Sequence, residues 1–152
     1  MRLFFFMLGI SVIMQSCDFY RRPDLGRMSQ GELHFLIKQI TSIELLDRDK
    51  VENAFTDGGR DPTTWFEIKF DDERKTQIPA LLAQQGYKIK DGLIGDLPRP
   101  LPPEIATWWD LKKLSSSTLF ILRRQEDRDD AVGVWCFFDS TQGKLLGCSF
   151  SH

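Results

Sequence analysis

Histidine is almost missing from this chain: only His34 and His152 occur. A hydrolase triad needs an imidazole between nucleophile and acid. His152 is the last residue and His34 falls on the first expected helix, with no Ser or Cys near it in a nucleophile setting, so no triad is expected. Cysteine is scarce too. The three present are Cys17, Cys136 and Cys148, with no Cys-x-x-Cys spacing, which argues against a zinc ribbon or a thioredoxin-like site. Neither sign of charge prevails: 20 basic residues face 22 acidic ones, for a formal net charge of −2. Without a basic arm or stripe, a nucleic-acid partner has little electrostatic support. Gly58-Gly59 lacks the strand–glycine–helix setting of a phosphate cradle and reads as a turn. No metal or cofactor is expected, and no internal repeat is evident.

What the chain does have is apolar bulk for its size. Its 152 residues suit one domain, since domains usually run to roughly 100–200 residues. Twelve Phe and four Trp supply large buried areas. Hydrophobic and charged contents of 41% and 28% are ordinary for a folded protein.

The N-terminus stands apart. Met1-Arg2 opens an almost unbroken apolar run over residues 3–14, followed by Gln15-Ser16-Cys17. A positive start, a short apolar stretch and a small residue before the cut form the secretory leader pattern. The run is too short to span a bilayer, which takes about 20 apolar residues, and polar residues 18–24 stop its extension. Met14-Gln15-Ser16-Cys17 resembles the lipobox of bacterial lipoproteins, with Met14 where Leu is usual and Gln15 at a position commonly small. The resemblance implies a leader over residues 1–16, cleavage before Cys17 and acylation of the Cys17 thiol and amine with palmitate-type chains. Each buried CH₂ adds roughly 0.8 kcal/mol, and two or more chains hold a protein stably at a membrane. The competing readings are an ordinary cleaved leader that contains a cysteine, or an apolar start on a cytosolic chain. Asp18 resembles the inner-membrane retention signal of some Gram-negative lipoproteins, which favours the periplasmic side of that membrane.

Acylation of Cys17 would leave Cys136 and Cys148 as a pair in an oxidising compartment. Residues 131–139 and 144–150 read as the two strands of a hairpin. A three-residue loop, Thr141-Gln142-Gly143, with Gly143 left-handed is a common connection. That register sets Phe138 against Leu146 and Cys136 against Cys148, close enough to bridge. A disulfide and two buried free thiols packing as small hydrophobes are both compatible with it.

Elsewhere, residues 17–28 read as a tether and residues 29–152 as a single domain. Ser29 and Glu32 fit a capping box, and Leu33, Leu36, Ile37 and Ile40 give a helical stripe over about 30–40. Ile43, Leu45, Val51 and Phe55 suggest extended pieces. Residues 64–70 alternate as a strand, ended by the charged run 71–75. Thr76 can cap a helix over 77–85, with Pro79 in its permissive first turn and Gly86 closing it. A short strand follows over 87–90. Residues 97–103 hold four of the seven prolines and should be extended. Residues 119–123, a charged turn over 125–130 and the hairpin complete a three-stranded meander. The expected fold is α+β, an antiparallel sheet with two short helices on one face.

The order of these pieces resembles that of small bacterial lipoproteins of uncharacterised function. The matching residues are Trp65-Phe66-Glu67-Ile68-Lys69-Phe70, the helix ending at Gly86, Pro102-Pro103 with Trp108-Trp109-Asp110, and the stretch from Trp135 to Gly143. They cover about residues 65–150, and the resemblance bears on fold and compartment only.

Trp108, Trp109 and Asp110 are the candidate binding surface, because aromatics beside a rigid loop suit a contact patch and Trp is enriched at hot spots. Alternatively both indoles pack onto the sheet and Asp110 caps the next turn. Trp65 and Trp135 lie out of phase with the apolar faces, covering a second layer or forming an exposed stripe. The runs 71–73 and 126–130 are expected to be solvated turns. The function expected is a non-catalytic envelope lipoprotein anchored through Cys17 that binds an envelope protein, an inhibitor or immunity type included. The alternative is a module for a small-molecule or cell-wall ligand under the Pro-rich loop.

Overall fold

A computed structural model describes residues 24–58, 62–90, 101–114, 116–123 and 133–150. The leader 1–16, Cys17, Asp18, most of the tether, the prolines at 98 and 100 and the charged turn 125–130 lie outside the described residues. The described α-helices and strands are α1 (Gln30–Thr41), β1 (Lys50–Thr56), β2 (Thr64–Lys69), α2 (Asp72–Gln84), β3 (Lys88–Ile89), β4 (Ser117–Arg123), β5 (Gly133–Asp139) and β6 (Lys144–Phe150). The strands form one six-stranded sheet in the order β1-β2-β6-β5-β4-β3. Every pairing is antiparallel, and β4, β5 and β6 are the expected meander.

Strand alternation gives the sheet two faces. One row of the first face runs Ala54, Phe66, Gly147, Cys136, Phe120, Ile89 across all six strands. The neighbouring row, on the second face, runs Phe55, Trp65, Cys148, Trp135, Ile121, Lys88. Both helices cover the first face, so the α+β arrangement expected from the sequence is present.

The first helix forms as its sequence dictates. Ser29 and Glu32 make both halves of the capping box, and Leu33 and Ile37 are buried with Leu36 and Ile40 partly so. Burying a Leu or Ile fully contributes about 1.5–3 kcal/mol, enough to hold a 12-residue helix that would be marginal alone. The buried region also starts earlier than the helix: Leu25, inside the expected tether, is 4% exposed within the same core.

The second helix starts earlier than the sequence suggests. Asp71, not Thr76, is its N-cap, accepting from Arg74 N at 2.7 Å. Asp72 and Glu73 occupy the first turn, where carboxylates favour the helix dipole. Part of the run read as a strand terminator is therefore helix. Pro79 falls in the eighth position rather than the first turn, an interior site that costs roughly 3 kcal/mol. Ile78 and Leu82, both fully buried, offset that cost. The helix ends as expected at Gly86, φ +86°. Gly86 N donates to Ala83 O and Tyr87 N to Leu82 O, both at 3.0 Å, a Schellman closure. Tyr87 Oη then donates to Thr41 O at 3.1 Å, tying the end of α2 to the end of α1.

The final hairpin differs from expectation by one residue. The last strand pair is Asp139 with Lys144, which leaves a four-residue loop over 140–143. The fully buried carboxylate of Asp139 causes this: its Oδ1 accepts from Thr141 N at 2.9 Å and Gln142 N at 3.0 Å. These bonds wind the chain through one more residue before Gly143 turns left-handed at φ +62°. A slip of one residue moves every side chain of one strand to the opposite face relative to the other. Cys136 is therefore opposite Gly147, and Cys148 is opposite Trp135.

Candidate functional site

The corrected register decides the cysteines. Cys136 lies in the first-face core with Phe66, Tyr87 and Phe138; Cys148 lies in the second-face core with Trp65, Phe137 and Leu146. Their Cβ atoms point to opposite sides of the sheet, an arrangement a disulfide cannot bridge. Both are free and buried. Burial raises both thiol pKa values, Cys148 to about 12 and Cys136 well above the usual thiol range, so neither is a nucleophile at neutral pH.

The Trp-Trp-Asp segment takes the packed arrangement rather than the open one. Residues 101–114 lie over the second face of the sheet. A compact turn carries Ile105 and Trp109 inward: Trp109 N donates to Ile105 O at 2.8 Å and Ile105 N to Pro102 O at 3.1 Å. Ile105 is fully buried and Trp109 is 2% exposed. The Trp109 ring stands perpendicular to that of Phe137, centroids 6.3 Å apart, and edge-on to Trp108 at 6.0 Å. Asp110 caps the following turn, its Oδ1 accepting from Lys112 N at 3.0 Å. Of the three candidate surface residues, Trp109 is core, Asp110 is a cap, and Trp108 is the one indole of the pair with a partly open edge. Trp109 Nε1 is buried and has no hydrogen-bond partner among the described residues.

Three polar sites escape a reading of the sequence alone. Glu67 sits on the second face between Trp65 and Lys69, 3% exposed. Asn53 Nδ2 donates to its Oε2 at 2.6 Å, and Lys144 Nζ lies 2.5 Å from its Oε1. Strand alternation marks Glu67 as solvent-facing until the cover of residues 101–114 is known. On the other side, Arg74 joins the buried Asp49 (Nε to Oδ2, 3.3 Å) and donates to Glu44 O at 2.7 Å. These pairs are structural, because a buried charge persists only when paired. Among the described residues, no group of three His, Cys, Asp or Glu side chains is gathered to hold a metal ion. No described helix is long and apolar enough to cross a membrane.

The third site is an edge of the sheet, and the two edges differ. Along β1, Gln30 acts as a substitute strand: its Nε2 donates to Val51 O and its Oε1 accepts from Val51 N, both at 3.0 Å. One helical turn on, His34 Nε2 donates to Asp49 O at 2.8 Å. At the opposite edge, β3 is only two residues long and covers the middle of the seven-residue β4. Ile89 is 62% exposed and flanked by exposed Lys88 and Lys90. Lys90 Nζ lies 5.7 Å from the centroid of the half-buried Trp135 ring, which stands edge-on to Phe150 at 5.9 Å. This corner combines an open edge, an exposed aliphatic side chain, two cations and accessible aromatic surface.

Comparison with protein-family models, with curated proteins and with solved structures finds no match to this chain.

Proposed function

We propose that the chain is a lipid-anchored protein of the bacterial envelope whose domain works as a protein-interaction module, with inhibitors of the immunity type among the roles it fits. The observation that carries the interaction half is the β3 corner. Large exposed hydrophobics are few among the described residues, namely Phe35, Leu46 and Ile89. Ile89 alone of these sits on a strand, beside Lys88, Lys90 and the partly open Trp135. Small exposed apolar contacts rimmed by polar groups are the usual anatomy of a protein interface. The lipid half is supported by the leader pattern and by Ser16-Cys17. The small-molecule alternative draws less support, because Trp109, which with Trp108 and the Pro-rich loop would roof its pocket, is packed onto the sheet.

The test is membrane fractionation combined with in-cell cross-linking in the native host. Wild-type protein is expected in the membrane fraction, cross-linked to one stoichiometric protein, and Cys17→Ala is expected to be released and to lose that partner. Soluble wild-type protein with its first residues intact would refute the anchor. An anchored protein that cross-links to nothing would refute the interaction module.

A further inference from the structure

We infer that the β3 edge accepts an extended acidic–apolar–acidic segment of a partner protein as an added strand; this rests on the interaction reading above. The backbone supplies the first argument. Lys90 N donates to Leu119 O at 3.0 Å, so residues 90 and 119 form a hydrogen-bonded antiparallel pair. In such a ladder hydrogen-bonded pairs alternate with non-bonded ones. Lys88 with Ile121 is the next bonded pair, and Ile89, opposite Phe120, lies between them. Ile89 therefore turns its own N–H and C=O outward, where a partner strand would meet them. Among the described residues, nothing bonds to either group.

Side chains supply the second argument. Ile89 belongs to the first-face row, whereas Lys88 belongs to the second-face row together with Trp135, and Lys90 approaches that ring. A strand laid along this edge would set one residue beside Ile89 on the first face and its two neighbours beside Lys88 and Lys90 on the second. Lysines on an edge commonly deter pairing, and here they deter one partner in particular. A second copy arriving antiparallel about Ile89 would place Lys88 against Lys90 twice. Like charges directly opposite are destabilising; carboxylates in the same places reverse the sign. The contrast with β1 is the third argument. There Gln30 and His34 already bond the outward groups at the start of the edge, at Val51 and Asp49, whereas β3 covers only part of β4.

Two synthetic peptides test this, (Glu-Val)₄ and (Lys-Val)₄, titrated by fluorescence anisotropy against the full chain in non-ionic detergent. The acidic peptide is expected to bind at least about tenfold more tightly. Lys88→Glu/Lys90→Glu should weaken it by about tenfold or more, as two exposed ion pairs become two repulsions. Saturation should slow amide exchange at Ile89, the signature of strand addition that attraction between charges alone would not give. Equal binding of both peptides, no binding of either, or bound peptide without protection of Ile89 would overturn the inference. So would a native partner that cross-links equally well to Lys88→Glu/Lys90→Glu, a result that leaves the interaction module standing.

Discussion

The substitution Gly147→Ala should be the most damaging single methyl addition in the domain. Gly147 lies on β6 between Phe66 of β2 and Cys136 of β5. A Cβ built on it would overlap Cζ and Cε2 of Phe66, with Cε1 at 3.0 Å. Carbon atoms at their best separation are about 3.5–4.0 Å apart, so the ring would have to move by more than an ångström. Phe66 has no room for this: it is 0% exposed and packed among Ile68, Cys136 and Leu145. Overpacking typically costs about 1–3 kcal/mol and sometimes more. Replacing a strand glycine returns about 0.5–1 kcal/mol of backbone entropy. With the ring fully enclosed, the net should fall near the upper end, about 3 kcal/mol. Urea denaturation reads it directly: at about 1–3 kcal/mol per molar for a small domain, the midpoint should fall by about 1–3 M. Phe66→Leu removes the obstructing atoms, so Gly147→Ala/Phe66→Leu should be at least about 1 kcal/mol more stable than the sum of the two single effects predicts. A Gly147→Ala protein within about 0.5 kcal/mol of wild type, or strict additivity in the double variant, would show that Phe66 does not lie over Gly147. The β2–β6 register would fall with it.

Two further perturbations probe the buried layers. Trp109→Phe keeps a ring against Phe137 but removes the N–H that has no partner among the described residues. An unsatisfied buried donor costs about 1–3 kcal/mol, which should offset the lost apolar area and leave this variant within about 1 kcal/mol of wild type. Trp109→Ala should lose about 3–5 kcal/mol, and equal damage from both variants in urea would mean that the indole N–H has a partner. The thiols predict alkaline sensitivity. Desolvation raises the pKa of Cys148 to about 12 and that of Cys136 further, so the folded state holds both protons more tightly than the unfolded chain, where a thiol titrates near 8.5. Their contribution is fully present below pH about 8.5 and is lost as pH rises towards the folded values. By pH 9.5 each thiol should have cost about 1 kcal/mol relative to neutral pH. Melts of wild type and of a Cys136→Ala/Cys148→Ala variant at pH 7 and 9.5 isolate this, and parallel losses in both proteins would refute it.

The elements were largely legible in the sequence, and their register was not. Ser29 and Glu32 announce α1 because a capping box is a local device, complete within four residues. The strand beginning at Thr64 and the hairpin strands are visible for the same reason. What failed is non-local. The start of α2 was hidden because a charged run reads alike as a solvated turn or as a cap followed by an acidic first turn. Only Arg74, drawn inward to Asp49 and Glu44, distinguishes the two. The cysteine pairing failed for a more general reason. In a sheet with one wet face, hydrophobic alternation fixes register, since a slip exposes the core. Here β5 is buried at six of its seven positions and β6 at four, because the helices cover one face and residues 101–114 the other. Either register therefore places apolar side chains against apolar side chains, and alternation carries no preference. The choice passes to one side chain at the turn, Asp139, whose two backbone hydrogen bonds set the loop at four residues. The Trp-Trp-Asp segment is the other half of the same problem. Read as an exposed surface, it leaves the second face wet and Trp65 and Trp135 unexplained. Read as the cover, it accounts for those two indoles, for the burial of Glu67 and for the loss of register information at once.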